Sequence, residues 1–124
     1  MNLLARILRV EDLPPIPLYD KKGYKKLIID DKCGAKEIGG VLVVRPPGAL
    51  GKQHYHRKRE KVWFILAGTA TLLIEGKEYQ AGPDTMIFIA PNEKHKLMNK
   101  SDTELRLLEF FSHPEDWPFV EGEP

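Results

Sequence analysis

Four histidines stand in this 124-residue chain, and two of them, His54 and His56, are separated by a single tyrosine. Alternate side chains of an extended strand share one face and lie about 6–7 Å apart. Two imidazoles so placed can converge on one divalent ion at about 2.0–2.1 Å each, and a third ligand has to come from elsewhere. His95 is the candidate, because it follows the Pro91-Asn92 turn at the mouth of another strand-like run. Glu60, four residues past His56, can add a carboxylate as fourth ligand or as general base. A site of imidazoles with open positions can polarise a carbonyl, activate water or bind dioxygen. The fourth histidine, His113, sits in a proline-containing tail and reads as structural. The lone Cys33 cannot form an internal disulfide, and nothing beside it in sequence would stabilise a thiolate.

The elements that must hold these residues read as short strands. Ten glycines and ten prolines punctuate apolar, β-branched runs. Strands are expected over residues 26–30 (KLIID), 40–45 (GVLVVR), 54–56, 62–67 (VWFILA), 69–75 (TATLLIE), 78–80, 86–90 (MIFIA), 95–98 and 105–111. Gly76-Lys77 reads as the tight turn of a hairpin. Gly82-Pro83-Asp84 and Pro91-Asn92 read as further turns, with Asn92 suited to a left-handed conformation. Residues 5–10 fit a strand or a short helix equally, and residues 12–17 are extended or turn-like. Residues 112–124, with three prolines and Trp117, are expected to lie across the surface or a partner subunit rather than form a strand. Runs this short, with no long helical segment between them, call for antiparallel pairing, since parallel pairing needs crossovers of a dozen or more residues. No repeat or linker divides the chain. The expectation is one all-β domain over residues 1–124.

The spacing of the candidate ligands then becomes specific. Residues 48–68 read G-ALGKQ-H-Y-H-RKR-E-KVWFILA-G. This resembles the first cupin motif, G-x5-H-x-H-x3,4-E-x6-G, in Gly48, His54, His56 and Glu60, with a final gap of seven residues in place of six. Residues 84–99 resemble the second motif, G-x5-P-x-G-x2-H-x3-N, in His95 and Asn99; Asp84, Ala90 and Asn92 depart from it. The stretch WFILAGTATL is also similar to the cupin part of mannose-phosphate isomerase and guanylyltransferase proteins. The resemblance spans about residues 39–111 and implies a single antiparallel jelly-roll β-barrel, with residues 1–20 as an N-terminal arm and 112–124 as a C-terminal tail. It implies a divalent metal (Zn, Mn, Fe, Ni, Cu or Co) on His54, His56, Glu60 and His95. The extra residue leaves two registers open. Counting forward from His56 turns Glu60 inward; counting back from Gly68 turns Lys61 inward, and strand alternation admits only one of them. With Lys61 inward, the site is three histidines with an open remainder, or a metal-free pocket for an anion.

Arg45, Lys61, Trp63 and Phe88 are the candidate substrate contacts; Trp63 and Phe88 otherwise serve as barrel wall. Lys plus Arg (19) nearly cancel Asp plus Glu (18), so charge makes no case for nucleic acid or an anionic membrane. The first residues, MNLLARILRVED, are too short and too charged an apolar run for a signal peptide or a membrane span. A cytoplasmic protein follows from that and from the single cysteine. Abundant Lys and Glu beside only two glutamines, Gln53 and Gln80, suggest thermostability. The resemblance implies a homodimer, with the N-terminal arm covering a sheet edge. Two functions are expected from different classes. One is a metal-dependent enzyme of the isomerase, dioxygenase or decarboxylase kind acting on a small molecule; the other is a non-catalytic module that binds a sugar or an anion, with or without metal. A metal-free barrel using histidine as a general base is a third expectation.

Overall fold

The computed structural model describes residues 6–120. Residues 1–5 of the expected N-terminal arm and residues 121–124 of the tail lie outside the described residues. The strands are β1 (Ile16–Pro17), β2 (Tyr24–Ile29), β3 (Ile38–Arg45), β4 (His54–Tyr55), β5 (Lys61–Ala67), β6 (Ala70–Ile74), β7 (Lys77–Ala81), β8 (Met86–Ile89), β9 (His95–Met98), β10 (Leu105–Ser112) and β11 (Phe119–Val120). They form two antiparallel sheets, ordered β1-β2-β3-β10-β5-β8 and β11-β4-β9-β6-β7. Helix among the described residues is limited to 3-10 turns at Val10–Asp12 and Asp31–Cys33. No helix among them is long and apolar enough to cross a membrane.

Period-2 burial explains how the sheets face each other. In β5, Lys61, Trp63 and Ile65 are buried while Val62 and Phe64 are half-buried and Leu66 is exposed. In β10, Leu105 and Leu107 are buried on the same inner face, which Glu109 and Phe111 continue by alternation. Ile65, Leu72, Ile89, Leu105 and Leu107 close one end of the space between the sheets. Each such side chain contributes about 1.5–3 kcal/mol on burial. The other end opens into a cavity.

Two boundaries depart from expectation, each for a local reason. The hairpin turn is Glu75-Gly76, not Gly76-Lys77, because Ile74 pairs with Lys77. Both turn residues have positive φ, 48° and 79°, as a two-residue type I′ turn demands. The tail does form a strand: β11 pairs with β4, and the Phe119 ring stacks on Tyr55 with centroids 5.1 Å apart. Pro118 is tolerated because β11 is an edge strand. Residues 5–10 supply no strand in the described part; the chain enters through the 3-10 turn, whose Val10 carbonyl accepts from Lys26 Nζ. Asn92 is left-handed as expected, at φ 68°.

Candidate functional site

His54 and His95 sit directly opposite each other on the paired strands β4 and β9. His56 follows two residues after His54, on the same side. The ring centroids of His54 and His95 are 4.2 Å apart, and those of His54 and His56 are 5.3 Å apart. One ligating nitrogen from each of the three lies within 4.8 Å of the others. Each Nδ1 faces a backbone carbonyl: Lys52 O at 3.0 Å for His54, Asp116 O at 2.8 Å for His56 and Glu93 O at 2.8 Å for His95. A carbonyl only accepts, so Nδ1 carries the proton and Nε2 is left with its lone pair. That is the anchoring that metal-bound histidines use. Burial, followed by the nearby Lys61 charge, pushes His54 and His56 down to about 4 and His95 to about 2, so all three are neutral near pH 7. Three neutral imidazoles, anchored from behind, fit a divalent ion.

The fourth side of the cluster holds a cation. Lys61, only 3% exposed, points inward from the start of β5. Its Nζ donates to His95 Nε2 at 3.0 Å and to His54 Nε2 at 3.3 Å. Glu60, expected as fourth ligand and general base, is exposed and outside the cluster; its backbone bonds with Ser112, donating to Oγ and accepting from the amide. The register counted back from Gly68 is the one adopted. The extra residue is absorbed in the turn before β5, where Asp116 Oδ2 accepts from the Lys58 and Arg59 amides and fixes the backbone.

Two further residues support Lys61. Glu109 on β10 lies 3.8 Å from Nζ and accepts from Trp63 Nε1 at 2.5 Å. Burial alone would raise the Glu109 carboxyl, but the Lys61 ammonium and the Trp63 hydrogen bond outweigh it and hold it below its ordinary value. Burial pushes Lys61 down, against the pull of Glu109. The sequence reading missed Glu109. The signal was present: in residues 105–111 (LRLLEFF) it takes an inward place in the alternation of Leu105, Leu107 and Phe111.

His54, His56, Lys61, Trp63 and Glu109 line a cavity of about 960 Å³; His95, 1% exposed, stands behind them. The volume lies toward the upper end of small-molecule sites. Its wall is largely apolar, with Leu27, Ile29, Val41, Val43, Leu97 and Phe111, and Trp117 of the tail stands at its margin, 81% exposed. Of the expected substrate contacts, Arg45, Lys61 and Trp63 line the cavity. The Arg45 guanidinium is committed to both Asp20 oxygens and the Lys22 carbonyl. Phe88 does not line it: on β8 it pairs opposite Val62 on the outer face and is 50% exposed. Asn99, of the second motif, is fully buried and structural, donating to Arg45 O and Thr103 O.

The comparisons agree with this architecture. Over 107 residues the chain is 28% identical to Protein SchB of Streptomyces halstedii, covering 84% of this chain and 75% of that one. Over 71 residues it is 34% identical to mannose-1-phosphate guanylyltransferase of Klebsiella pneumoniae, covering 57% of this chain but only 15% of that enzyme's length. The structure of the polyketide cyclase RemF from Streptomyces resistomycificus superposes with a TM-score of 0.85 at 19% identity, covering 98% of this chain and 88% of that one. Residues 41–111, more than half of the chain, match the cupin domain family (Cupin_2), and with its paired antiparallel sheets and three convergent histidines this chain belongs to it.

Proposed function

We infer that this cupin is a metal-dependent enzyme that acts on a carbonyl-bearing small molecule with a sizeable apolar body. The observation that carries the reading is the placement of three neutral, backbone-anchored imidazoles at one side of a large, mostly apolar cavity. A divalent ion held by His54, His56 and His95 supplies Lewis acidity to a ligand oxygen. The chain's own residues do the rest. The carbonyls of Lys52, Glu93 and Asp116 fix the three rings. The wall around Val41, Val43, Leu97 and Phe111 orients the apolar body and excludes water. Glu109 places a carboxylate next to Lys61, held ionised, that balances the ammonium at the cavity wall. Among isomerase, decarboxylase and dioxygenase chemistries, the cavity favours isomerisation or ring closure of a mid-sized carbonyl compound, since a two-carbon acid would leave most of it unfilled. The likeness to a structure described as a polyketide cyclase supports the same choice. A homodimer, cytoplasmic location and thermostability complete the proposal; a monomeric mass or a melting temperature in the 45–65 °C mesophile range counts against the first or the last.

The test is elemental analysis of tag-free protein beside a His54→Ala/His56→Ala double variant, followed by turnover assays on enolisable aromatic ketones. Near-stoichiometric metal in the parent, none in the variant, and turnover only in the parent support the reading. Absence of metal after incubation with a divalent series overturns it.

A non-catalytic module for a sugar or an anion is the second reading. It is favoured by Lys61, whose Nζ donates to the same Nε2 lone pairs of His54 and His95 that an ion would need. A ligand that raises the melting temperature equally with and without chelator, and is not turned over, would select it.

A further inference from the structure

An imidazole Nε2 has one lone pair, which can accept a hydrogen bond or bind an ion but not both. The Nε2 atoms of His54 and His95 both face Lys61 Nζ, at 3.3 and 3.0 Å. A divalent ion on the three histidines therefore takes both hydrogen-bond acceptors away from a side chain that is 3% exposed. Glu109, at 3.8 Å, is beyond hydrogen-bond distance. Glu60, the carboxylate that could have neutralised the ion, faces solvent. A buried ammonium beside a dication, left with the Glu109 carboxylate at 3.8 Å as its one counter-charge against two cations, is stabilised by a second anionic oxygen within hydrogen-bond reach. The cavity that Lys61 lines is where such an oxygen can enter, and its apolar wall suits the body that carries it.

We propose that the cavity takes a carboxylate or enolate on an apolar body, with the anionic oxygen bridging the histidine-bound ion and the Lys61 ammonium, so that metal and anion bind cooperatively. This rests on the reading of His54, His56 and His95 as a metal site. Lys61 is then a specificity-determining residue and also a competitor for metal when no anion is present. The coupling is reciprocal: an anion that tightens metal binding is itself bound tighter by the metal-loaded protein.

The test is calorimetric titration of Zn²⁺ into the wild-type protein, alone, with 2-naphthoate, and with the neutral isostere 2-naphthamide. The expected result is a Zn²⁺ Kd at least tenfold lower with naphthoate and unchanged with naphthamide. Lys61→Met is expected to bind Zn²⁺ at least tenfold tighter than wild type without naphthoate, and to respond to naphthoate by less than twofold. Lys61→Arg, which keeps the charge, retains the coupling. If circular dichroism shows Lys61→Met misfolded, Lys61→Gln replaces it with the same expectation. Zn²⁺ uptake that ignores naphthoate in the wild type, or a naphthoate effect that survives Lys61→Met, overturns the inference and leaves the metal reading standing. No Zn²⁺ uptake by any version overturns both.

Discussion

Trp63 Nε1 donates to Glu109 Oε1 at 2.5 Å between directly paired residues of β5 and β10. Both side chains point between the sheets, so a bond between neighbouring strands sets the position of the carboxylate that balances Lys61. Replacing Trp63 by Phe keeps most of the apolar volume and removes the donor. A hydrogen bond to a charged group is worth about 1.5–3 kcal/mol. Trp63→Phe is expected to lose about 2 kcal/mol in urea unfolding at pH 7, and the loss should shrink in Trp63→Phe/Glu109→Gln. Equal losses with either background would mean that the cost is packing alone.

Arg45 ties the opposite flank of the cavity to the N-terminal segment through Asp20. The guanidinium makes two bonds to the carboxylate, at 2.8 and 2.9 Å, and a third to Lys22 O at 2.7 Å. The Arg45 side chain is 5% exposed and that of Asp20 20% exposed, so removing the acid strands a nearly buried cation. The hydrogen bond from Arg45, working against burial, holds the Asp20 carboxyl below its ordinary value. A depressed carboxyl contributes stability that is fully present above its unfolded pKa of about 3.9 and lost as pH falls through the folded value. Asp20→Asn should cost about 2 kcal/mol at neutral pH, discounted for partial exposure. That difference from wild type should narrow below about pH 4. A pH-independent difference between the two proteins would remove the ion pair as its cause.

Much of this arrangement was legible in the residues. Runs such as VWFILA and LRLLEFF declare period-2 burial, so the strands and the two-faced sheets follow from alternation. His54 and His56 were legible because spacing on a strand fixes which side chains share a face, and His95 because it follows the Pro91-Asn92 turn at the mouth of another strand-like run. The Glu60 or Lys61 register was not, because it depends on how the turn at residues 57–60 is folded. That turn is shaped by Asp116, 57 residues beyond Arg59 in sequence. The tail strand was missed for a related reason: its prolines argue against a central strand, and only the tertiary position of β11 at a sheet edge admits it. Glu109 could be read from the alternation of LRLLEFF as an inward residue, but not as the partner of Lys61 and Trp63, and the backbone carbonyls behind the histidines are main-chain partners, on which residue types are silent.

Gly68 joins β5 to β6, and its φ of 83° is one that side-chain-bearing residues rarely adopt. A Cβ there would lie 2.4 Å from Glu104 O and 3.0 Å from Leu105 Cα, both backbone atoms that cannot swing away. Gly68→Ala is expected to destabilise by about 2–3 kcal/mol, as strain of this kind costs about 1–3 kcal/mol before any steric clash is counted. Gly76→Ala is the matched control: φ is again positive, 79°, but nothing lies within 4 Å of the added carbon. It should cost clearly less in the same denaturant titration. Equal costs would locate the whole effect in φ and none in the approach of Glu104.

Asp116 connects the C-terminal tail to the histidine cluster twice over. Its carboxylate accepts from the Lys58 and Arg59 amides at 2.6 and 3.0 Å, and its backbone carbonyl accepts the His56 Nδ1 proton at 2.8 Å. Loss of a partner that orients a metal-bound histidine typically costs 10–100-fold in metal affinity, as an order of magnitude. Asp116→Ala keeps the carbonyl but frees the segment that positions it. It should therefore need about tenfold more Zn²⁺ than wild type for the same rise in melting temperature. Stabilisation by a bound ion follows mass action, about 2.7 kcal/mol at 100 times Kd, so chelator should return each protein to its own metal-free melting temperature. The metal-free proteins should differ by only about 1 kcal/mol, since the carboxylate bonds are at the surface. A large metal-free difference with an unchanged Zn²⁺ requirement would make Asp116 a structural clamp with no hold on His56.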